Sequence, residues 1–364
     1  MLVYILLFIF ILLFFIFNKE SIHLDKKAEI VLISLPLVIV AIFRANSVGG
    51  DLERYLPVFY SVAKTPFLDI IKEGYGETEY LYIVLIKLIS LISASDRCYI
   101  MLISLFILIP VFVIIYKRSV CIVWSVLIFL LLGVYTGSFN IIRASISISI
   151  GLVAHHYLLN NKYLSYWILV VVAFFFHRTA FALILLFVIR KLEFTYMRTL
   201  ILLVGSTIFS VMCSATGIFS LINLYVTAYG SYLESDYLMF NRTSVFTAYS
   251  LFLLIISFFA LYIRKISKLN NPDYDFYVNC LVVAYSIQIM ASSFTLLNRI
   301  AVLFSVYLIF LLPLMFKYGR TRYMVAIKVI CFLILSAMYF KTLEVDPVVG
   351  FDTHAVVPYI FLGK

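Results

Sequence analysis

His177 is the side chain of this sequence best suited to exchanging a proton near neutral pH. It lies in Phe174-Phe175-Phe176-His177-Arg178-Thr179-Ala180, between two apolar runs with almost no loop. So tight and apolar a connection should fix the imidazole within protein, where a neutral ring could accept a hydroxyl proton. A polar residue resting at an interface is the plainer alternative. Asp51 is the second candidate base. It falls in Arg44-Ala-Asn-Ser-Val-Gly-Gly-Asp51-Leu-Glu-Arg-Tyr55, where Gly49-Gly50 allows a tight turn that exposes Asp51 and Arg54 near Arg44. A charged, solvated loop accounts for the same residues.

Helical spacing puts Asn140, Arg143, Ser147 and Gly151 on one face. Ser147 and Gly151 are explained by close helix packing. Arg143 is not, because a charge within an apolar span is costly unless it meets a cavity, a partner or the interface. Snorkelling to headgroups is the competing account. Arg44, Arg143, Arg242 and Arg299, with Arg178 as a weaker candidate, could converge on one anion. The planar, always-charged guanidinium suits a diphosphate because it binds oxygen pairs bidentately. Tyr55, Tyr229 and Tyr232 could stack on sugar rings, although membrane interfaces recruit tyrosine anyway. No metal site is expected. The five cysteines are scattered singly, His155-His156 has no further ligands nearby, and Asp273-Tyr-Asp275 reads as a solvated loop.

The elements that must position these residues are set by composition. Of 364 residues, 65% are hydrophobic and 13% charged, against roughly 45–50% and about 25% in soluble domains. Apolar runs fall at about 1–17, 28–43, 80–94, 98–116, 119–136, 141–159, 164–176, 179–189, 199–219, 246–263, 276–296, 300–316 and 323–340. The short alternating segments of a closed barrel are absent, so the expected fold is all-α: a polytopic membrane protein in one integral domain, 1–364. The first run lacks a basic flank and a small-residue exit, and is expected to be a retained span. Two larger loops remain, 44–79 and 220–245.

The net charge of +10 would suggest nucleic acid in a soluble protein, but here the basic residues sit in short loops. One side receives Lys117-Arg118, Lys162, Arg190-Lys191 with Arg198, Arg264-Lys265 with Lys268, and Lys317 with Arg320 and Arg322. By the positive-inside rule that side is cytoplasmic. The single arginines Arg143, Arg178, Arg242 and Arg299 then face outward, as do both large loops. Two full crossings at 80–94 and 98–116 would put Lys117 on the wrong side. The run 80–94 spans only about 22 Å of an about 30 Å core, and Lys87 interrupts it. It is expected to be re-entrant or interfacial, which leaves twelve crossings; the alternative is thirteen.

Gly50-Asp51-x-x-x-Tyr55-x-x-x-Phe59, Glu79 at the start of the next run, Asn140-x-x-Arg143 and Phe176-His177-x-x-Ala180 occur in order over residues 40–180, with Arg299 as a continuation. In these motifs the chain resembles the EpsG-type polysaccharide polymerases, a group similar to the Wzy O-antigen polymerases. Ala144 departs from the pattern, which more often has Gln there. The resemblance implies a glycosyltransferase of the bacterial inner membrane, working on its outer face. It would move a glycan from undecaprenyl diphosphate to a sugar hydroxyl of a lipid-linked repeat unit, as in lipopolysaccharide biosynthesis. The implied partners are the lipid-linked oligosaccharide, membrane lipid and a chain-length regulator protein, with no nucleic acid. No cofactor is implied, since the sugar–diphosphate bond carries the energy. A flippase for lipid-linked sugars and a membrane acyltransferase with His177 as base are the alternatives; a flippase should show repeat-related halves.

Overall fold

The computed structural model describes residues 1–18, 24–73, 78–216, 247–291, 297–319, 323–345 and 354–361. These residues form helices and no strand, as expected of a polytopic all-α protein. Among them, six helical segments are long and apolar enough to cross a membrane, and five apolar helices are shorter. The chain divides into two compact units, Met1–Leu183 with Ile327–Lys364, and Ile184–Ala326.

The first unit contains α1 (Leu2–Phe17), α2 (Lys26–Ile42), α3 (Leu52–Lys64), α4 (Phe67–Glu73), α5 (Tyr80–Ile92), α6 (Asp96–Arg118), α7 (Ile122–Leu131), α8 (Val134–Gly137), α9 (Ile142–Leu159) and α10 (Tyr163–Phe176). A 3-10 helix, Arg178–Ile184, follows. The run 119–136 is broken rather than continuous, because Gly133 takes a left-handed conformation between α7 and α8. The long α6 is the spine, packed on both α2 and α9. Ser95 caps its start with a bond from the Cys98 amide at 3.2 Å, and Asp96 lies in its first turn and Lys117-Arg118 in its last, both favourable for the helix dipole. At the Lys117 end, the Arg118 guanidinium donates to His156 Nδ1 at 2.9 Å and Asn160 Oδ1 at 2.8 Å. His156 thereby ties the end of α9 to the end of α6. Between α9 and α10, the Ser147 hydroxyl donates to the Ala173 carbonyl at 2.9 Å. A Cβ on Gly151 would meet Leu183 at 2.9 Å, so the small residues do permit close approach.

The loop 44–79 is largely helical. Leu52, Leu56, Phe59 and Val62 of α3 recur at helical spacing and are buried. This helix packs on α5. Lys87, the charge within the α5 run, is buried and donates to the Val62 and Ala63 carbonyls at 3.2 and 3.0 Å. An ammonium there satisfies carbonyls left open at the end of α3. The first turn of α6 is tied to the exit of α2: Asn46 bonds Asp96, and Arg97 donates to the Arg44 carbonyl at 3.3 Å. The opposite terminus of α5 begins at Glu79, which bonds the entry of α9 and the exit of α10. Both ends of α5 are thus held at the same end of the unit.

The C-terminal segment 354–361 lies across that end. Ala45 and Gly49 donate backbone bonds to Ile360 and Ala355 at 2.9 and 2.8 Å. Tyr359 donates to the Val40 carbonyl at 2.7 Å, and His354 Nδ1 meets Thr136 Oγ1 at 2.9 Å.

The second unit contains α11 (Leu185–Ile189), α12 (Tyr196–Thr216), α13 (Ala248–Ile266), α14 (Pro272–Met290), α15 (Leu297–Ser305) and α16 (Leu308–Tyr318); α17 (Met324–Thr342) runs from it into the first unit. Buried Asn279 of α14 donates to the Ile189 carbonyl at 3.1 Å, and Asp275 pairs with Arg264 at 3.1 Å. The Asp273-Tyr-Asp275 element therefore lies in the first turn of a helix capped by Asn271, and not in the solvated loop expected for it. Arg242, Tyr229 and Tyr232, with the loop 220–245, lie outside the described residues.

Gly49 has φ +101°, and a Cβ there would come within 2.2 Å of the Phe139 carbonyl oxygen. Gly49→Ala should therefore lower stability by roughly 1–3 kcal/mol, combining backbone strain with a clash that backbone cannot relieve. Gly205→Ala, where a Cβ meets nothing within 4 Å, should leave thermal unfolding of the detergent-solubilised protein unchanged or slightly raised. Equal melting temperatures for wild type and Gly49→Ala would contradict the turn.

Candidate functional site

In the first unit Arg143 and His177 meet at Glu79, which directly precedes α5. One carboxylate oxygen, Oε2, pairs with the Arg143 guanidinium. The other, Oε1, lies 3.1 Å from His177 Nδ1 and 3.4 Å from the Arg178 backbone amide. Each partner reaches this point for a local reason. Arg143 is in the first turn of α9, whose entry is set by the short α8 and the Phe139–Ile141 turn. His177 ends α10 in an extended conformation, φ −160° and ψ 123°, which turns its ring away from the helix before the 3-10 segment begins. Its amide still donates to the Ala173 carbonyl at 3.0 Å, so the ring is held by an ordered cap.

A carboxylate only accepts hydrogen bonds, so Nδ1 of His177 must carry the hydrogen in the Glu79 contact. In the neutral ring that leaves Nε2 as a lone-pair acceptor. The His177 residue is only 6% exposed, and Nε2 has no hydrogen-bond partner. A buried acceptor without a partner beside a charged pair calls for an explanation. Burial pushes the Glu79 carboxyl up, but the His177 hydrogen bond and the Arg143 charge outweigh it and hold the group down at about 2. It is ionised throughout the physiological range.

Arg143 is held from a second side. Its Nε donates to the Tyr55 hydroxyl at 3.3 Å, and its guanidinium lies 5.6 Å from the Tyr55 ring. The Tyr55 ring also packs on Tyr82 at 5.6 Å. Arg143 is thus fixed by Glu79 and Tyr55 while a quarter of its side chain stays exposed. Asp51 is placed one helical turn before Tyr55, and its amide donates to Asn140 Oδ1 at 2.9 Å. The Gly50-Asp51 and Asn140-Arg143 motifs are thus joined directly.

One expected member of the cluster stands elsewhere in the first unit. Arg44 is 1% exposed, donates to the Ala41 carbonyl at 2.8 Å and Ser104 Oγ at 2.9 Å, and lies 4.5 Å over the Phe139 ring. It was expected in the diphosphate set; here its Nη1 donor serves the end of α2 and Ser104 in the middle of α6. Arg299 belongs to the second unit, half-buried in the first turn of α15. Conversely, Glu79 stood in the sequence as one member of the motif set, opening the apolar run at 80, but was given no role at the site; nothing in its local pattern distinguishes a hub from a helix cap. Tyr55, expected to stack on sugar, is engaged by Arg143 and Tyr82.

An all-helical, polytopic chain with a buried carboxylate joining an arginine and a histidine at its helix ends defines a class: a multi-pass membrane protein with a charged cluster where its helices end. Residues 27–361 match the EpsG family, and the chain belongs to it. Members of that family are Wzy-like polysaccharide polymerases. No curated protein and no solved structure matches the chain.

Because Glu79 has a lowered value, its ionised form contributes stability that is present above about pH 4.5, the ordinary value, and is lost as pH falls towards 2. Glu79→Gln should therefore melt lower than wild type at neutral pH, and the gap should narrow on acidification between those limits. A gap that persists unchanged down the acid range would mean that the carboxylate charge is not what holds the site.

Proposed function

We propose that the chain is a polysaccharide polymerase acting on the outer face of a bacterial inner membrane. It transfers a glycan from undecaprenyl diphosphate to a sugar hydroxyl of a lipid-linked repeat unit. The observation that carries this is the Glu79-centred pairing of a half-open arginine with a histidine whose Nε2 has no partner. EpsG membership supports the polymerase class.

In the proposed step the acceptor oxygen bonds to the anomeric carbon of the donor glycan. The bond from that carbon to the phosphate oxygen breaks, and the diphosphate leaves on its lipid. The acceptor proton passes to His177 Nε2, which the Glu79 contact has left as the acceptor. Arg143 neutralises charge developing on the leaving diphosphate, commonly the largest single contribution in such sites. Glu79 positions both groups. As the diphosphate engages Arg143, it competes with Glu79 for the guanidinium, so the resting ion pair keeps the cation aligned until substrate arrives. The site lies at the starts of α5 and α9 and the end of α10, and in this reading the reaction draws only on the lipid-linked donor. A flippase would instead place its charged site near mid-membrane.

Purified protein incubated with lipid-linked repeat units alone should yield a ladder on gels. Arg143→Ala should abolish the ladder at normal protein abundance, and Arg143→Lys should rescue poorly because an ammonium lacks the bidentate fork. His177→Gln should lower transfer about 10²–10⁴-fold with donor binding retained, and any residual activity should lose the acidic limb of the wild-type pH profile. Arg299→Ala, in the second unit, is the companion variant: loss of polymer at normal abundance would support its diphosphate role. Full activity in Arg143→Lys together with near-normal transfer in His177→Gln would remove the basis of the proposal.

The sidedness has its own test. Cysteines introduced beside Arg143 and His177, and beside Arg242 and Arg299, should react with an impermeant reagent added from outside. Labelling of two or more only from the cytoplasm would overturn the outer-face assignment.

A further inference from the structure

An apolar groove of ≈440 Å³ runs between α5 and α6. Its walls are Leu85, Leu88 and Ile92 on one side and Leu102, Phe106 and Ile109 on the other. Several of these are strongly exposed: Leu88 48%, Ile92 73% and Ile109 51%. In a membrane-embedded chain such a furrow is filled by hydrocarbon, and the question is which hydrocarbon.

Three observations select the occupant. First, the groove is continuous with the site. The helix α5 that forms one wall starts at Glu79, and Leu85 follows six residues on, about 9 Å along the helix. On the other wall, the Phe106 ring packs against Phe176 at 5.8 Å, and Phe176 immediately precedes His177. Second, the chemistry changes sharply along this line, from a lining of hydrocarbon side chains to the Arg143 guanidinium and the His177 ring. A molecule satisfying both ends has an apolar chain and an anionic head. Third, the groove is a single furrow of ≈440 Å³ between two helices, and exposed Leu88, Ile92 and Ile109 leave it open along its length to a chain entering from the surrounding lipid.

We infer that the α5–α6 groove seats the head-proximal part of the polyprenyl chain of the donor lipid diphosphate, with its diphosphate directed to Arg143. The inference rests on the polymerase proposal for the identity of the head group. It adds where the lipid lies and gives a role to α5. A helix with both ends held at one end of the unit does not carry the chain across the bundle, yet it forms a wall against α6 whose near end is the site.

The test uses a synthetic polyprenyl diphosphate bearing a benzophenone on the first few isoprene units. The purified full-length protein is irradiated with it in nanodiscs, and the adducts are mapped by mass spectrometry. Adducts should fall on α5 and α6 between Leu85 and Ile109. Unlabelled polyprenyl diphosphate should compete with labelling, and excess phosphatidylglycerol should not. Leu88→Trp and Ile109→Trp, at exposed positions where folding should tolerate them, should each weaken labelling about tenfold, as expected if about two methylene groups lose their burial. Arg143→Ala should weaken it too. Adducts confined to other helices, equal competition by phosphatidylglycerol, or no effect of either tryptophan would overturn the assignment. The ladder assay on the same preparation separates the two ideas. A ladder without groove labelling defeats this inference and leaves the polymerase intact; head-group-dependent groove labelling without a ladder leaves the lipid site and defeats the polymerase.

Discussion

A carboxylate taken out of water must find cations or donors for its oxygens, and Glu79 does so with three separate segments. Arg143 at the start of α9 takes one oxygen; His177 and the Arg178 amide, just beyond α10, share the other. Removing any one leaves a buried charge short of a partner, so the ends of α5, α9 and α10 are held together by a cost rather than by surface complementarity alone. The same requirement explains why His177 carries its hydrogen on Nδ1 and presents Nε2 as an acceptor.

The rest of the first unit supports this point. The spine α6 holds α9 through Arg118 at the Lys117 end and holds the α2 exit through Asn46 and the Arg44 carbonyl at the other. The Gly49-Gly50 turn fits under Phe139 and Asn140, so that α3 begins where Tyr55 meets Arg143. The C-terminal strap then crosses the Arg44–Gly49 turn through backbone bonds to Ala45 and Gly49. Buried Arg44 joins the end of α2 to Ser104 in the middle of α6. These contacts fix backbone around a small polar centre, which is how a flexible arginine and imidazole come to be pre-aligned.

Under the proposed reaction, placing a cation and a base on one carboxylate couples two needs of glycan transfer from a diphosphate. Charge must be neutralised where the leaving group departs, and a proton must be removed where the acceptor arrives. A shared carboxylate sets the relative position of the two groups without touching either reactant. It also keeps the arginine from collapsing onto other anions before substrate binds, while Tyr55 limits where the guanidinium can turn.

What the sequence alone determined follows from burial and periodicity. Long apolar runs with few charges can only be membrane helices, and the runs starting at 80, 98, 141, 164 and 323 are found within a few residues of their expected places. Motif spacing brought out Asn140, Arg143 and His177, because an arginine inside an apolar run and a histidine in a tight apolar turn are costly and need a reason. The tertiary structure decided what depends on side chains distant along the chain. Glu79 lies 64 residues from Arg143 and 98 from His177, and no local pattern marks an acidic helix start as their common partner. Arg44 looked like the other outer arginines, and only packing against Ser104 and Phe139 shows that its charge is enclosed. Lys87 read as an interruption until the end of α3 supplied carbonyls for it. In each case the sequence displays a charge with its cost, and the fold alone supplies the partner that meets that cost.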